Sequence, residues 1–330
     1  MSYALLFPGQ ASQHVGMGRD LAERWLAADR IYDRAERASG LPLRRLCFEG
    51  PEDELTRTAN LQPAVVATSL AVLAAAYAEA GLEVDESFPT APNPPNAVAG
   101  HSVGEYTALV AAGALSIPAA IALVAERGRL MEAASEANPG TMLALIGGDD
   151  DAAAALCAAV RKTVPGSYLQ VANHNSPGQA VIAGDLPGIE AAAEAAREHG
   201  FRRALPIAVS GAFHSAAMQP AAAGLRAAVA AVAISAPAVP VVANIDAEMK
   251  TDPTALGEEL AEQVVSPVRW SDSIRALGEA GVATFLEIGP GSVLARLNGR
   301  ILDDARSESI NDDEAIPSLA AHLTGTEDQS

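Results

Sequence analysis

The sequence predicts an α/β protein with a parallel sheet, a large α/β-hydrolase-like unit into which a smaller ferredoxin-like unit is inserted. Three observations carry this. Alanine-rich helical runs alternate with short Val/Ile/Leu segments through most of the 330 residues, as strands joined by crossover helices do. An apolar segment at Val98-Ala99 runs into Gly100-His101-Ser102-Val103-Gly104 and at once into helix-forming sequence, the layout of a nucleophile elbow. Between residues 141 and 207 the order is strand, helix, strand, strand, helix, strand, the ferredoxin-like order.

Taken along the chain, Tyr3–Phe7 is an apolar strand that breaks at the turn Pro8-Gly9-Gln10. Residues 18–38 carry helical periodicity, and Pro51-Glu52-Asp53 suits the first turn of another helix. Residues 64–80 are apolar but interrupted by Thr68, Ser69, Tyr77 and Glu79, so they read as a buried helix rather than a membrane span. Residues 87–96, with four prolines, read as an exposed loop. Ser116 caps a helix over 118–137. In the inserted unit, strands at 141–146, 168–173, 179–183 and 203–207 alternate with helices at 149–162 and 187–199. Residues 212–300 return to alternating helix and strand, with a strand at Thr284–Ile288 entering the turn Gly289-Pro290-Gly291-Ser292. That turn lacks both phosphate-binding glycine patterns, so a structural turn is favoured over a phosphate site. The expected division is 1–140 with 208–302 as the large unit, 141–207 as the insert, and 303–330 as an acidic tail, with loose order expected over 302–314 and disorder in the last residues.

Composition narrows the function classes. With 49% hydrophobic and 19% charged residues the chain can bury a large core. A net charge of −19 argues against nucleic acid, and an acidic partner would need a local basic patch. Cys47 and Cys157 form neither a disulfide framework nor a metal-ligand spacing. No basic-then-apolar leader opens the chain, so a cytoplasmic protein with no membrane contact is expected.

Ser102 is the first candidate nucleophile, because the flanking glycines allow the tight turn and the following helix start aims N–H groups at an anion forming beside it. A serine needs a base. Of six histidines, His199 and His322 read as surface residues, and His101 adjoins Ser102 on a sharp turn where side chains diverge. His214 lies just after the last strand of the insert, where the chain re-enters the large unit, and is the choice for general base and acid. A packed or capping histidine is an equal alternative on these residues alone. The aspartates between Ser102 and His214 all sit in turns or at helix starts, so a backbone carbonyl is the expected partner of the imidazole. Arg127 has Leu123, Val124, Leu130 and Met131 at helical spacing, unlike Arg129 with its Glu126 and Glu132. An arginine aimed into an apolar stripe is costly unless it meets an anion, and its planar fork suits a carboxylate. The alternative is a snorkelling side chain at the core edge.

Seven segments together resemble the malonyl-CoA:acyl-carrier-protein transacylase (acyltransferase) family. They are Phe7-Pro8-Gly9-Gln10-Ala11-Ser12-Gln13, Gly100 to Tyr106, Glu126-Arg127-Gly128, Asn173 to Gly184, Gly211 to Ser215, Gln263 to Trp270 and Glu287 to Gly291. The likeness spans about residues 3–301 in order. It implies Ser102 as the acylated nucleophile, His214 as its base and Arg127 as the malonyl carboxylate receptor. It also implies an oxyanion hole from the N–H groups of Gln10 and Val103, Gln263 as the main-chain carbonyl that orients the histidine, and His101 as a support beside the substrate carboxylate. Phe213 resembles the bulky residue of malonyl-selective members. The implied reaction is ping-pong transfer of malonyl from malonyl-CoA to the phosphopantetheine thiol of acyl carrier protein, for fatty acid or polyketide synthesis. A transferase of another acyl group and a carrier-protein thioester hydrolase are the alternatives. No metal or resident cofactor is implied, and a monomer is expected. The basic residues near the expected cleft are Arg202, Arg203, Arg296 and Arg300, and some of these are expected to form the carrier-docking patch. Two features depart from the family: Ala11 replaces the usual glycine, which strains the loop if that position needs an unusual φ, and the loop at 87–96 is longer than usual.

Overall fold

The computed structural model describes residues 2–326. Ten strands form two sheets. In chain order they are β1 (Tyr3–Phe7), β2 (Ala97–Gly100), β3 (Thr141–Ile146), β4 (Leu169–Ser176), β5 (Gln179–Gly184), β6 (Arg203–Ile207), β7 (Val241–Val242), β8 (Met249–Lys250), β9 (Thr284–Ile288) and β10 (Arg306–Ile310). The large sheet has the order β10-β9-β1-β2-β7-β8 and is parallel apart from the short antiparallel β8. Every residue of β1, β2 and β9 is buried, because helices cover both faces of a parallel sheet and leave no polar side. One of those helices, Thr58–Glu79, has the length and hydropathy to cross a membrane, yet 94% of its most apolar window lies inside the fold.

The insert forms the second sheet, β4-β5-β3-β6, antiparallel throughout. This is the ferredoxin-like order, with its own core of Leu143, Leu145, Leu156, Val160, Ile182 and Phe201. Main-chain hydrogen bonds tie the insert to the segment before the helix Trp270–Glu279 of the large unit: His174 N–H donates to Val268 O and Val268 N–H to Ala172 O, both 2.9 Å. A cleft between the sheets follows.

Several expectations change. The helix over 18–38 is two helices, Arg19–Arg24 and Leu26–Ser39, broken at the extended residue Trp25, whose indole N–H donates to Asp313 Oδ1 at 2.7 Å. The segment after 302 is not a loose tail. β10 pairs in parallel with β9 from Arg306↔Thr284 to Ile310↔Ile288, and the helix Ile316–Thr324 buries Ile316, Leu319 and Leu323. An edge strand spelled Arg-Ser-Glu-Ser-Ile has no apolar alternation; its order comes from backbone pairing, which composition does not reveal. Residues 327–330, the end of the expected tail, lie outside the described residues. The loop at 87–96 is only partly exposed: Phe88 and Ala91 are buried, and Asn93 bonds the C-terminal helix through its N–H to Leu323 O and its amide to His322 O. His322 is therefore buried against Tyr3, not on the surface. Both cysteines are buried and free.

Candidate active site

Ser102 stands between the end of β2 and the helix Gly104–Ala111 with φ +52°, a left-handed conformation that costs a non-glycine residue about 1 kcal/mol. The glycines on either side make the turn possible. A Cβ on Gly100 would lie 2.0 Å from the Gly104 carbonyl, and one on Gly104 would lie 2.2 Å from Phe7 O. The strained turn is held from the neighbouring strand. Asn244, just past β7 and 1% exposed, accepts from Ser102 N–H through Oδ1 and donates from Nδ2 to Gly100 O, both at 2.7 Å. Sequence reading missed Asn244. The one signal was a polar residue closing the apolar run Val241-Val242-Ala243.

His214, from the segment after β6, places Nε2 2.8 Å from Ser102 Oγ across 112 residues of sequence. Its Nδ1 lies 3.0 Å from Gln263 O and 3.1 Å from Ser266 O. Carbonyl oxygens only accept, so Nδ1 carries the proton and Nε2 is left to accept from the serine. Among the described residues no carboxylate touches the ring. Gln170 on β4 donates to His214 O at 3.1 Å, so the insert braces the histidine. Burial first, and the Arg127 charge second, push the His214 pKa from 6.5 down to about 3. The imidazole is thus a neutral acceptor throughout the working range, and kcat/KM for an acyl-CoA substrate is expected to stay level from pH 8 to about 5, without an acid limb near 6.5, in a pH–rate profile. The sign for stability follows from linkage. The unfolded imidazole takes up a proton near pH 6.5 and the folded one does not, so this contribution is intact above 6.5 and is lost as pH falls toward 3.

Arg127 is 1% exposed. Its Nη1 donates to Gln62 Oε1 at 2.6 Å, and its Nη2 donates to Gln263 Oε1 at 3.0 Å and to Ser102 Oγ at 3.2 Å. The guanidinium also faces the Tyr106 ring at 5.8 Å. Its hydrogen-bond partners are neutral oxygens, and burial lowers its pKa. By contrast Arg129 pairs with Glu126 on the outer face of the same helix, as the helical spacing predicts.

A cavity of about 310 Å³ opens over the serine. Gln10, His101, Ser102, Phe213 and His214 line it, with Met142, Val209 and Leu297 from the surrounding elements. Arg127 and Gln263 sit behind the serine instead of on this wall. The N–H groups of Gln10 and Val103 donate to no other group among the described residues. His101 Nε2 lies 3.0 Å from Asn175 Oδ1, which ties the elbow to the insert. The structure therefore brings together all eight expected site residues, with Gln62, Glu105, Asn175 and Asn244 as additions.

Ala11 adopts φ +77°, in the loop that carries Gln10. Ala11→Gly is expected to stabilise the protein by about 0.5–1 kcal/mol, the relieved strain minus the added freedom of the unfolded chain, readable as a denaturant-midpoint shift. The turn after β9 is structural. Glu287 accepts from Leu294 N–H at 3.1 Å and Ala295 N–H at 2.9 Å, so a carboxylate of the chain itself occupies the helix N-terminus. A larger groove of about 890 Å³, between helices Gln219–Ala230 and Pro253–Glu262, contains none of the expected site residues.

Comparison with known proteins agrees with this geometry. Residues 4–328 match the acyl transferase domain family. The malonyl CoA-acyl carrier protein transacylase of Bacillus subtilis is 44% identical, over 95% of this chain and 94% of the relative. The crystal structure of an acyl-carrier-protein-S-malonyltransferase from Bartonella henselae superposes with a TM-score of 0.90 at 39% identity, covering 98% of this chain and 99% of that one. A malonyl-transacylase solved in complex with its type II PKS acyl-carrier protein gives 0.87 at 37% identity, covering 98% and 99%. With a buried guanidinium behind an elbow serine and a histidine oriented by a backbone carbonyl, this chain belongs to the acyl transferase domain family, among the malonyl-CoA:acyl-carrier-protein transacylases.

Proposed function

We propose that the protein transfers a malonyl group from malonyl-CoA to the phosphopantetheine thiol of acyl carrier protein through a malonyl-serine intermediate. The observation that carries this reading is the convergence of Ser102 Oγ, His214 Nε2 and Arg127 Nη2 within 3.2 Å of the serine oxygen. Ser102 Oγ attacks the thioester carbonyl as its proton passes to His214 Nε2. The oxyanion rests on the N–H groups of Gln10 and Val103, each worth about 3 kcal/mol in such a site. The tetrahedral adduct collapses, and His214 returns the proton to the departing CoA thiolate. The carrier thiol then attacks the malonyl-serine ester by the same steps in reverse. Arg127 holds the free carboxylate, and a cation kept dry without a counter-ion is well suited to that. Phe213 on the cavity wall favours malonyl over methylmalonyl by about 1–3 kcal/mol, the range for excluding one methyl. No resident cofactor enters this scheme.

The carrier approaches from the side of the helix Val293–Ile301. Its Val293, Leu294 and Leu297 line the cavity, and its Arg296 and Arg300 bond only to Ser292 Oγ and Gln179 Oε1. Arg202 and Arg203 stand at the start of β6, and none of the four makes an ion pair within 4 Å among the described residues, although the Arg296 charge is felt by the buried Glu287 carboxyl. In a chain of net charge −19 these cations beside the mouth form the complementary patch for an acidic carrier. The joint substitution Arg296→Glu/Arg300→Glu is expected to raise the KM for carrier about tenfold at low salt and change kcat little. Steady-state titration with holo-carrier reads this out, and unchanged carrier saturation would remove the patch from the proposal.

A further inference from the structure

Arg127 is a buried cation with no ion pair among the described residues, and an acid lies close by. Glu105, in the first turn of the elbow helix, is 1% exposed. Between the two stands the side chain of Gln263, which is fully buried. Its Oε1 accepts from Arg127 Nη2 at 3.0 Å, while its Nε2 donates to Ser102 O at 3.0 Å and to Glu105 Oε2. The amide cannot turn over. Reversed, its NH₂ would face a guanidinium that only donates, and its oxygen would face the Ser102 carbonyl, which only accepts.

Without that amide the natural outcome is contact. A guanidinium and a carboxylate meeting in a dry interior form a strong paired hydrogen bond, and the pair would consume the charge that a substrate carboxylate needs. In the intact site burial, and then the charge of Glu259, hold the Glu105 carboxyl well above the usual carboxylate range. Arg127 contact would reverse that balance by favouring the ionised acid.

We propose that the Gln263 carboxamide is a spacer that keeps Glu105 off Arg127, so that the guanidinium remains available to the carboxylate of the incoming acyl group. Gln263 thus has two separate duties: its main-chain carbonyl orients His214, and its side chain preserves selectivity for a carboxylated acyl group. Gln263 and Glu105 act through Arg127 and are positioning residues. The proposal rests on the reading of Arg127 as the carboxylate receptor.

The test is a double-mutant cycle that reads acyl preference. Gln263→Ala keeps the backbone carbonyl and removes the spacer. The ratio of kcat/KM for malonyl-CoA to that for acetyl-CoA is expected to fall at least about tenfold, over and above any loss common to both substrates, which the ratio cancels. Adding Glu105→Gln to Gln263→Ala removes the competing acid and is expected to restore most of the lost preference. A general structural defect would not be repaired by a second core substitution. Should the alanine variant not fold, Gln263→Asn, one methylene shorter, takes its place in the same cycle. An unchanged ratio in the spacer variant, or a double variant no better than the single, overturns the spacer. Arg127→Ala with an unchanged malonyl-to-acetyl ratio would instead overturn the underlying reading, so the two failures are distinguishable.

Discussion

Ser102→Ala is expected to yield a folded protein that gains no malonyl adduct on mixing with malonyl-CoA and loses transfer activity by about 10⁴-fold or more. The expectation rests on geometry. Ser102 Oγ is 2.8 Å from a histidine nitrogen that can only accept, and it sits on a turn held in a conformation serine does not choose. The one other hydroxyl among the cavity-lining residues, Ser12, donates to Gly9 O at 2.7 Å, and both cysteines are buried elsewhere, in separate cores. Alanine removes one oxygen and relieves no strain, since φ stays positive, so the fold should be retained. Intact-protein mass spectrometry after a single turnover is the direct measurement. A mass increase equal to malonyl in the alanine variant would sink the covalent scheme, and release of free acid by the natural enzyme without transfer to carrier would favour a hydrolase instead.

Arg127→Ala should have the second-largest effect and a different signature. Loss of a desolvated charge pair costs about 2–5 kcal/mol, so kcat/KM for malonyl-CoA should fall by a factor of about 30 to several thousand. Acetyl-CoA, which has no carboxylate, should lose far less. The comparison separates a receptor from a brace, because a collapsed site would penalise both substrates alike. It also addresses the snorkelling alternative directly: with 1% exposure and a bond to the serine oxygen, this side chain is nowhere near water. If malonyl-CoA and acetyl-CoA suffered equally, Arg127 would be a structural residue of the elbow.

What could be read beforehand divides along physical lines. The elbow was legible because its chemistry is local: two glycines, a serine, and strand and helix on either side within a few residues. Arg127 was legible because helical spacing set it among apolar neighbours. Its burial is what periodicity predicts. The strain at Ala11 was legible as a condition, and φ +77° meets it. His214 was only half legible, since position alone left a packed histidine as an equal choice, and resemblance had to supply its partner 112 residues away. The side-chain roles of Gln62 and Gln263 were not legible. Gln62 lies inside a long apolar helix and Gln263 in a 3-10 turn. Glu105 in a first helical turn looks like an ordinary dipole partner until burial shows otherwise. Such groups matter through contacts between distant segments, for which a single sequence holds no period. The polar strand β10 escaped for a related reason: an edge strand takes its order from the strand beside it.

That edge strand has a practical consequence for where the protein can be cut. Ser309 on β10 donates to Glu287 at 3.3 Å, and Glu287 in turn fastens the helix that walls the cavity. Trimming after Leu302, which composition invites, would strip β9 of its outer neighbour and bare the edge of a fully buried strand to sticky self-association. The safe place to append a tag or a fused module is therefore beyond the last helix, at Gly325 or later.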